Sequence, residues 1–242
     1  LPSALPLTRR VRHVSASFDD SHGMITVNGK NFRMMISKST GCIVSMQKGQ
    51  REYVISALSE CAVRGLTGAN AQPGWGEYDK WEAFAQENCA RRLISINASA
   101  LSDGRVLVER VTRLDSRLIP GASVNVLTRM WVAGDGNITL NAHFTLSGID
   151  SVERLGLTWT LPNEFEQVEW FGRGPGESYP DRVESARLGV YQSTVTEMHF
   201  PFTPPAENGG RDDVRRAVFE TEDGAKIIMR AQTPFHFDAR HY

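Results

Sequence analysis

The sequence contains little cysteine, and its opposite charges nearly cancel. Three cysteines, Cys42, Cys61 and Cys89, lie far apart in a chain of 242 residues and form no Cys-x-x-Cys pattern. We interpret them as isolated thiols, because metal and redox sites usually place cysteines at short spacings. The 27 basic and 28 acidic residues give a net charge of −1. This balance argues against nucleic acid or an anionic membrane surface as the main partner.

Long apolar runs are also missing from the chain. No stretch approaches the ~20 residues of a membrane-spanning helix, and the sequence therefore predicts no membrane partner. No basic segment leads into an apolar one near Leu1, so no signal peptide is recognised. From these two observations we expect a cytoplasmic location.

Alternating apolar and polar residues predict antiparallel strands through most of the chain. Hydrophobic residues make up 40% of it, enough for one large β domain or two smaller ones. The clearest strand is Ile138 to Leu146, which we expect to pair with Val124 to Val132. Other strands are predicted at Met24 to Val27, Phe32 to Ile36, Val106 to Val111, Val168 to Phe171, Val214 to Glu220 and Lys226 to Ala231, and at a segment whose buried face carries Ile94, Ile96, Ala98 and Ala100.

Turn and helix signals complete this outline. Asn28-Gly29 predicts a hairpin turn, and the spacing of Trp81, Phe84 and Ala85 predicts a short helix over Tyr78 to Cys89. Residues 1–14 lack periodicity and are interpreted as a linker or tail. We therefore predict a large antiparallel β-sandwich over residues 15–242.

Two glycine-rich loops carry most of the unusual side-chain chemistry. The first reads Trp170-Phe171-Gly172-Arg173-Gly174-Pro175-Gly176-Glu177-Ser178-Tyr179-Pro180-Asp181-Arg182. The predicted strand stops at its glycines, which together with the prolines set an irregular backbone path for acidic, basic and aromatic groups. The second reads Pro204-Pro205-Ala206-Glu207-Asn208-Gly209-Gly210-Arg211-Asp212-Asp213-Val214-Arg215.

The ordered pair of loops resembles the C-terminal small-chain module of glycoside hydrolase family 2 β-galactosidases. That family carries a Trp-Phe-Gly-x-Gly-Pro-x-Glu-x-Tyr-x-Asp-Arg segment and then a Pro-x-Glu-Asn-Gly-x-Arg segment. The resemblance implies a galactose-mutarotase-like supersandwich that packs against a catalytic barrel domain and helps to form the galactoside site. It also implies a homo-oligomeric parent enzyme that uses Mg²⁺ and Na⁺ near its barrel.

The resemblance assigns the catalytic glutamates to the barrel, so we expect no catalytic residue, cofactor or metal site in this chain. Of the loop acids Glu177, Asp181, Glu184 and Glu207, we interpret Glu177 and Asp181 as structural groups that hold loop amides and an arginine. The residues expected at the wall of the sugar site are Arg64, Asn70, Trp75 and His236. The signature residues interpreted as structural are Trp170, Gly172, Gly174, Pro175, Glu177, Tyr179, Asp181, Arg182, Glu207, Asn208, Gly209 and Arg211.

Two departures from the family pattern accompany the resemblance. Many members carry Arg-Ala-Pro-x-Asp-Asn-Asp where this chain has Arg64-Gly65-Leu66-Thr67-Gly68-Ala69-Asn70. The second departure is at the end, where the family segment Phe-x-Phe-Ser-Ala-x-His-Tyr is matched by Phe235-His236-Phe237-Asp238-Ala239-Arg240-His241-Tyr242 and the sequence then stops. Because members continue with further strands, we expect the sequence to be truncated at its C-terminal end.

Two other functions stay open at this level. The first is an aldose 1-epimerase-like enzyme, in which His143, His236 or His241 would face a glutamate across a cleft that holds a sugar. The second is a non-catalytic carbohydrate-binding domain.

Overall fold

A computed structural model describes residues 13–67, 73–74, 76–202 and 206–241. Its strands are β1 (Ser17–Ser21), β2 (Met24–Gly29), β3 (Phe32–Ser37), β4 (Ile43–Lys48), β5 (Arg51–Glu52), β6 (Ser56–Cys61), β7 (Cys89–Ala100), β8 (Val106–Ser116), β9 (Ser123–Val132), β10 (Ile138–Ser147), β11 (Gly156–Thr160), β12 (Gln167–Gly174), β13 (Arg187–Thr194), β14 (Arg211–Glu220) and β15 (Lys226–Phe237). The helices are α1 (Gly76–Phe84) and α2 (Val195–Met198). The predicted all-β, antiparallel class is confirmed.

The strands form three sheets. A seven-stranded sheet has the order β1-β2-β3-β4-β6-β11, with β5 beside β4. A four-stranded sheet has the order β10-β9-β8-β7, and another has the order β13-β12-β14-β15. Consecutive strands are mostly neighbours, so short turns make most of the connections.

The described chain divides into two compact units. The first contains residues 13–60, 89–150 and 157–160, and the second contains the described residues of 61–88, 151–156 and 161–241. The prediction of one domain over residues 15–242 remains a prediction. Of the expected tail, residues 1–12 lie outside the described residues, whereas the Val14 carbonyl accepts a 2.7 Å hydrogen bond from the Gly134 amide.

A buried ion-pair network joins the two sheets of the first unit. Arg110 on β8 is fully buried, and its guanidinium donates to the Gly41 carbonyl at 2.6 Å and to Glu60 Oε1 at 2.6 Å. The other carboxylate oxygen of Glu60, on β6, accepts from Arg91 Nε at 2.6 Å. Thr112 donates to Glu60 Oε1 at 2.6 Å. Burial lowers the pKa of Arg110, although the charge of Glu60 opposes this effect.

The core of the second unit contains Trp170, which is 1% exposed. Its ring lies 5.6 Å from that of Tyr191 and 6.4 Å from that of Phe237, measured between centroids. The sheet packs closely at Gly172, where an added Cβ would lie 2.7 Å from a methyl carbon of Val214. Side chains from β12, β13, β14 and β15 therefore define this core.

Several sequence predictions need correction at the level of turns and strand ends. The turn predicted at Asn28-Gly29 is centred instead on Lys30 and Asn31, because Gly29 pairs with Phe32. Asn31 takes the positive φ of 60° that the turn requires. The strand predicted to stop at Phe171 continues as β12 through Gly172 and Gly174, since glycine here permits close approach rather than ending the strand.

Two further predictions fail for local reasons. A register shift between Leu93 and Ser95 changes which side chains of β7 face the core. Ile94 is therefore 54% exposed, while Ile96 is half-buried. The helix predicted over Tyr78 to Cys89 runs instead from Gly76 to Phe84. Asn88 lies beyond its end, where the side-chain amide nitrogen donates to the Glu82 carbonyl at 2.9 Å. Cys89 already belongs to β7.

Among the helices that the structure describes, none has the length and apolar character needed to cross a membrane.

Candidate functional site

The first glycine-rich loop, residues 170–182, and the described part of the second, residues 206–215, are called the signature loops. They are hydrogen-bonded to each other in the second unit. Ser178 donates its amide to the Gly210 carbonyl at 2.9 Å, and its hydroxyl accepts from the Asp212 amide at 2.9 Å. The Gly210 amide donates to the Tyr179 hydroxyl at 3.2 Å. The two loops, which are separated in the sequence, therefore form one hydrogen-bonded element of the fold.

Glu177 joins the two loops through the Gly209 amide and forms an ion pair with Arg182 within its own loop. Its Oε1 accepts from Arg182 Nη2 at 2.6 Å, and its Oε2 accepts from the Gly209 amide at 3.0 Å. Burial raises the pKa of this carboxyl, but the Arg182 and Gly209 contacts outweigh burial, so the pKa is lowered from its ordinary value. Glu177 is thus held as a carboxylate in the folded chain.

Tyr179 belongs to the first loop and contacts the second. Burial is the main cause that raises the pKa of its hydroxyl to about 12, and nearby Glu177 and Glu207 act in the same direction. Its ring lies 5.6 Å from that of His236 and beneath Arg182, whose Cζ is 5.4 Å from the ring centroid. Tyr179 therefore stays protonated and serves as a packing and hydrogen-bonding group.

Asn208 and Arg211 hold the second loop from within. Asn208 Oδ1 accepts from the Phe200 amide at 2.9 Å, and its amide nitrogen donates to the Ala206 carbonyl at 2.9 Å.

The buried Arg211 guanidinium donates to the carbonyls of Gly209 and Gly210 at 3.1 Å. Its Cζ lies 4.8 Å from the centroid of Trp170, an arrangement that adds a cation–π attraction.

Glu207 is the most enclosed acid of the signature loops, with a side chain that is 1% exposed. Arg154 Nη2 donates to its Oε1 at 2.5 Å, and the Gly65 amide donates to its Oε2 at 2.9 Å. Arg154 also donates from Nη1 to Asp238 Oδ2 at 2.7 Å. The carboxylates raise the pKa of Arg154 against the lowering effect of burial, which is the largest single influence.

The remaining predicted residues lie in different surroundings. Arg64 forms a 3.1 Å ion pair with Glu153, and its carbonyl accepts from Trp81 Nε1 at 2.7 Å. The Nδ1 atom of His236 lies 2.8 Å from Oδ1 of Asp212.

Three other residues of the region, Asp181, Pro175 and Glu184, are exposed. Asn70 and Trp75 lie outside the described residues, so their predicted role in a sugar-site wall remains a prediction.

A group of potential metal ligands lies beside the second loop. Glu207, His236 and Asp238 bring one ligand atom each within 4.8 Å of the others. The two carboxylates already contact Arg154 and Arg240, and these guanidinium groups offset their charge. A cation would have to displace both arginines, so the charge balance of this group does not fit a metal site.

Sequence reasoning did not name Arg154, and it assigned no role to Asp212 in the second loop or to Asp238 and Arg240 in the last segment. Arg154 lies 53 positions from Glu207 and 84 positions from Asp238, so no local motif joins them. A partial signal existed at Asp238, where an acid replaces the serine expected from the family resemblance.

The pH dependence of stability provides a test of the Glu177 contacts. Since the folded pKa of Glu177 is lowered, its stabilisation is present above the unfolded pKa of about 4.3. It is lost as the pH falls through the lower folded value. We expect Glu177→Gln to lower the urea midpoint near pH 7, with the difference from the unaltered chain narrowing below about pH 4.3. The effect is small, because Arg182 is 54% exposed.

Glu184→Gln provides the control, because Glu184 is an exposed glutamate of the same region. Urea unfolding of all three proteins at several pH values would make the comparison. Parallel curves for the two variants at every pH would contradict a specific contribution from Glu177.

Fold and site together define an all-β chain in which two loops are fixed to each other by hydrogen bonds and by the contact of Arg211 with the Trp170 ring. The sequence model of the family described as beta galactosidase small chain matches residues 28–242. The chain belongs to this family.

Three relatives show the extent of the similarity. A β-galactosidase of Lactobacillus delbrueckii subsp. bulgaricus is 34% identical over 215 residues, 86% of this chain and 20% of the relative. A β-galactosidase of Vibrio cholerae is 41% identical over 115 residues, 47% of the chain and 10% of the relative. One from Priestia megaterium is 23% identical over 241 residues, 99% of the chain and 22% of the relative. The chain thus spans about a fifth or less of these relatives.

Proposed function

We propose that this chain is a non-catalytic domain of a β-galactosidase. In this proposal it packs on the catalytic barrel of the parent polypeptide and helps to form the sugar site. The parent hydrolyses terminal β-D-galactosides such as lactose with retention, a reaction that requires two carboxylates about 5 Å apart on either side of the scissile bond. Membership of the small-chain family supports this assignment.

The observation that carries the proposal is the engagement of the signature acids within the chain. Glu207 is enclosed and contacts Arg154 and the Gly65 amide, while Glu177 contacts Arg182 and the Gly209 amide. A general acid must reach the glycosidic oxygen with a proton, and a nucleophile must reach the anomeric carbon. Carboxylates that are already bound by arginines and amides are better suited to holding loops.

The proposal also covers the wall of the sugar site and the properties of the parent protein. Arg64, Asn70, Trp75 and His236 form part of the wall of the sugar site. The parent binds Mg²⁺ and Na⁺ near its barrel, assembles as a homo-oligomer and is cytoplasmic.

The epimerase-like alternative has less support from the described histidines. An acid and a base that act on opposite sides of a sugar must leave room for it between them. His236 instead lies 2.8 Å from Asp212, and His241 lies 3.3 Å from Glu166. His143 is exposed on β10 of the first unit.

Two assays test the proposal. The purified chain is expected to show no hydrolysis of nitrophenyl-β-galactoside and no glucose mutarotase activity, whereas the complete gene product hydrolyses the galactoside. Sequencing of the whole gene is expected to reveal a barrel segment with a glutamate pair. Robust hydrolysis by the chain alone would overturn the non-catalytic assignment, and mutarotation would support the epimerase.

A further inference from the structure

The backbone at Gly65 and Leu66 lies directly against the second signature loop. The Gly65 amide donates to Glu207 Oε2 at 2.9 Å, and the Glu207 amide donates to the Leu66 carbonyl at 3.1 Å. An added Cβ at Gly65 would lie 2.6 Å from the Glu207 nitrogen. The absence of a side chain at this position therefore permits the two backbone segments to approach.

The orientation of Glu207 depends on two arginines and a second acid. Arg154 holds Oε1 at 2.5 Å and reaches Asp238 Oδ2 at 2.7 Å with its other terminal nitrogen. Arg240 Nη2 lies 3.0 Å from Asp238 Oδ1 and 3.6 Å from Glu207 Oε2. Since Arg154 binds one oxygen of Glu207, the carboxylate is fixed with its second oxygen toward the Gly65 amide.

The residue before Arg154 holds the same segment through a different contact. Glu153 forms a 3.1 Å ion pair with Arg64, which directly precedes Gly65. Consecutive residues of one strand-free segment thus anchor the Arg64 side chain and, through Glu207, the Gly65 backbone. Charge–charge contacts among half-buried groups are stronger than those at the open surface, because solvent screens them less.

We propose that Arg154 and Asp238 are positioning residues, which act through Glu207 to fix the Arg64–Leu66 segment where it contributes to galactoside binding. The part of this inference that concerns galactoside rests on the proposed function. The fixed segment presents Arg64 to the sugar in a single arrangement, so less ordering is needed when the substrate binds. Disruption of the contacts is therefore expected to weaken substrate binding and leave the chemical step nearly unchanged.

Hydrogen exchange tests the structural half of the proposal in the 242-residue chain. Arg154→Gln and Asp238→Asn are expected to raise the exchange rates of the Gly65 and Glu207 amides by about tenfold, with β12 amides unchanged. Arg216→Gln is the matched control, because Arg216 pairs with Glu169 on the sheet of the same unit rather than with Glu207. Asp238→Glu keeps the charge and is expected to restore part of the protection. Unchanged exchange at Gly65 and Glu207 in Arg154→Gln would overturn the positioning role.

Steady-state kinetics of the complete gene product test the functional half. Arg154→Gln and Asp238→Asn are expected to raise KM for nitrophenyl-β-galactoside about three- to tenfold while kcat stays within about twofold. The Arg216→Gln control should leave both constants unchanged. Faster exchange together with an unaltered KM would overturn the link to the sugar. A complete product that hydrolyses no galactoside would overturn the proposed function, while the exchange experiment would still decide the positioning role.

Discussion

Glu60→Gln is expected to lower the free energy of unfolding by about 3–5 kcal/mol, because it leaves the buried Arg110 without a charged partner. Arg110 and the Glu60 side chain are both 0% exposed. Glutamine retains the approximate size of the side chain, so the loss of charge accounts for the main effect. Urea unfolding monitored by far-UV circular dichroism would measure the change.

The matched control for this prediction is Glu109→Gln in the same unit. Glu109 pairs with Arg129 at 2.8 Å, but the two side chains are 42% and 45% exposed. Loss of an exposed pair costs about 0–1 kcal/mol. The double variant Glu60→Leu with Arg110→Met is expected to recover part of the lost stability, since it removes the fully buried charge of Arg110, while Arg91 keeps its contact with the Thr40 carbonyl. Equal destabilisation by Glu60→Gln and Glu109→Gln would contradict the buried-charge explanation.

The strands that could be predicted are those whose side-chain alternation is not interrupted. Ile138 to Leu146 alternates along its whole length, and it pairs with β9 as expected. The alternation fails at Ile94 because the pairing of β7 with β8 shifts register between Leu93 and Ser95. Such a shift depends on hydrogen bonds with the neighbouring strand, so the alternation within one strand does not reveal it. The Asn28-Gly29 signal located the correct hairpin but not its centre, because strand pairing extended to Gly29 and left Lys30 and Asn31 to turn.

The candidate site was predictable where its contacts are close in sequence. Glu177 and Arg182 are five positions apart and share one loop, so their ion pair follows from the motif itself. The contacts of Glu207 with Arg154 and Gly65 arise only after distant segments meet in the fold. A single sequence contains many acids and arginines, and their charges alone do not indicate which of them become partners.

Trp170→Ala is expected to destabilise the second unit by about 3–5 kcal/mol through loss of buried surface and creation of a cavity. The ring is 1% exposed, and its Nε1 donates to the Arg173 carbonyl at 2.8 Å. It also packs against Tyr191 and supports Arg211, which holds the carbonyls of the second signature loop. Removal of the ring therefore affects both loops, and urea unfolding would measure the loss.

Val190→Ala and Trp170→Phe separate the contribution of this ring from general sensitivity of the sheet. Val190 lies on the neighbouring strand β13 and is 64% exposed, so its truncation is expected to change stability by less than about 0.5 kcal/mol. Trp170→Phe keeps an aromatic face beneath Arg211 but removes the indole donor, and an intermediate loss is expected. Hydrogen exchange should then show faster exchange of the Gly209 and Gly210 amides in Trp170→Ala than in Trp170→Phe. If Trp170→Ala were no more destabilising than Val190→Ala, the ring would not be the support that joins the sheet to the signature loops.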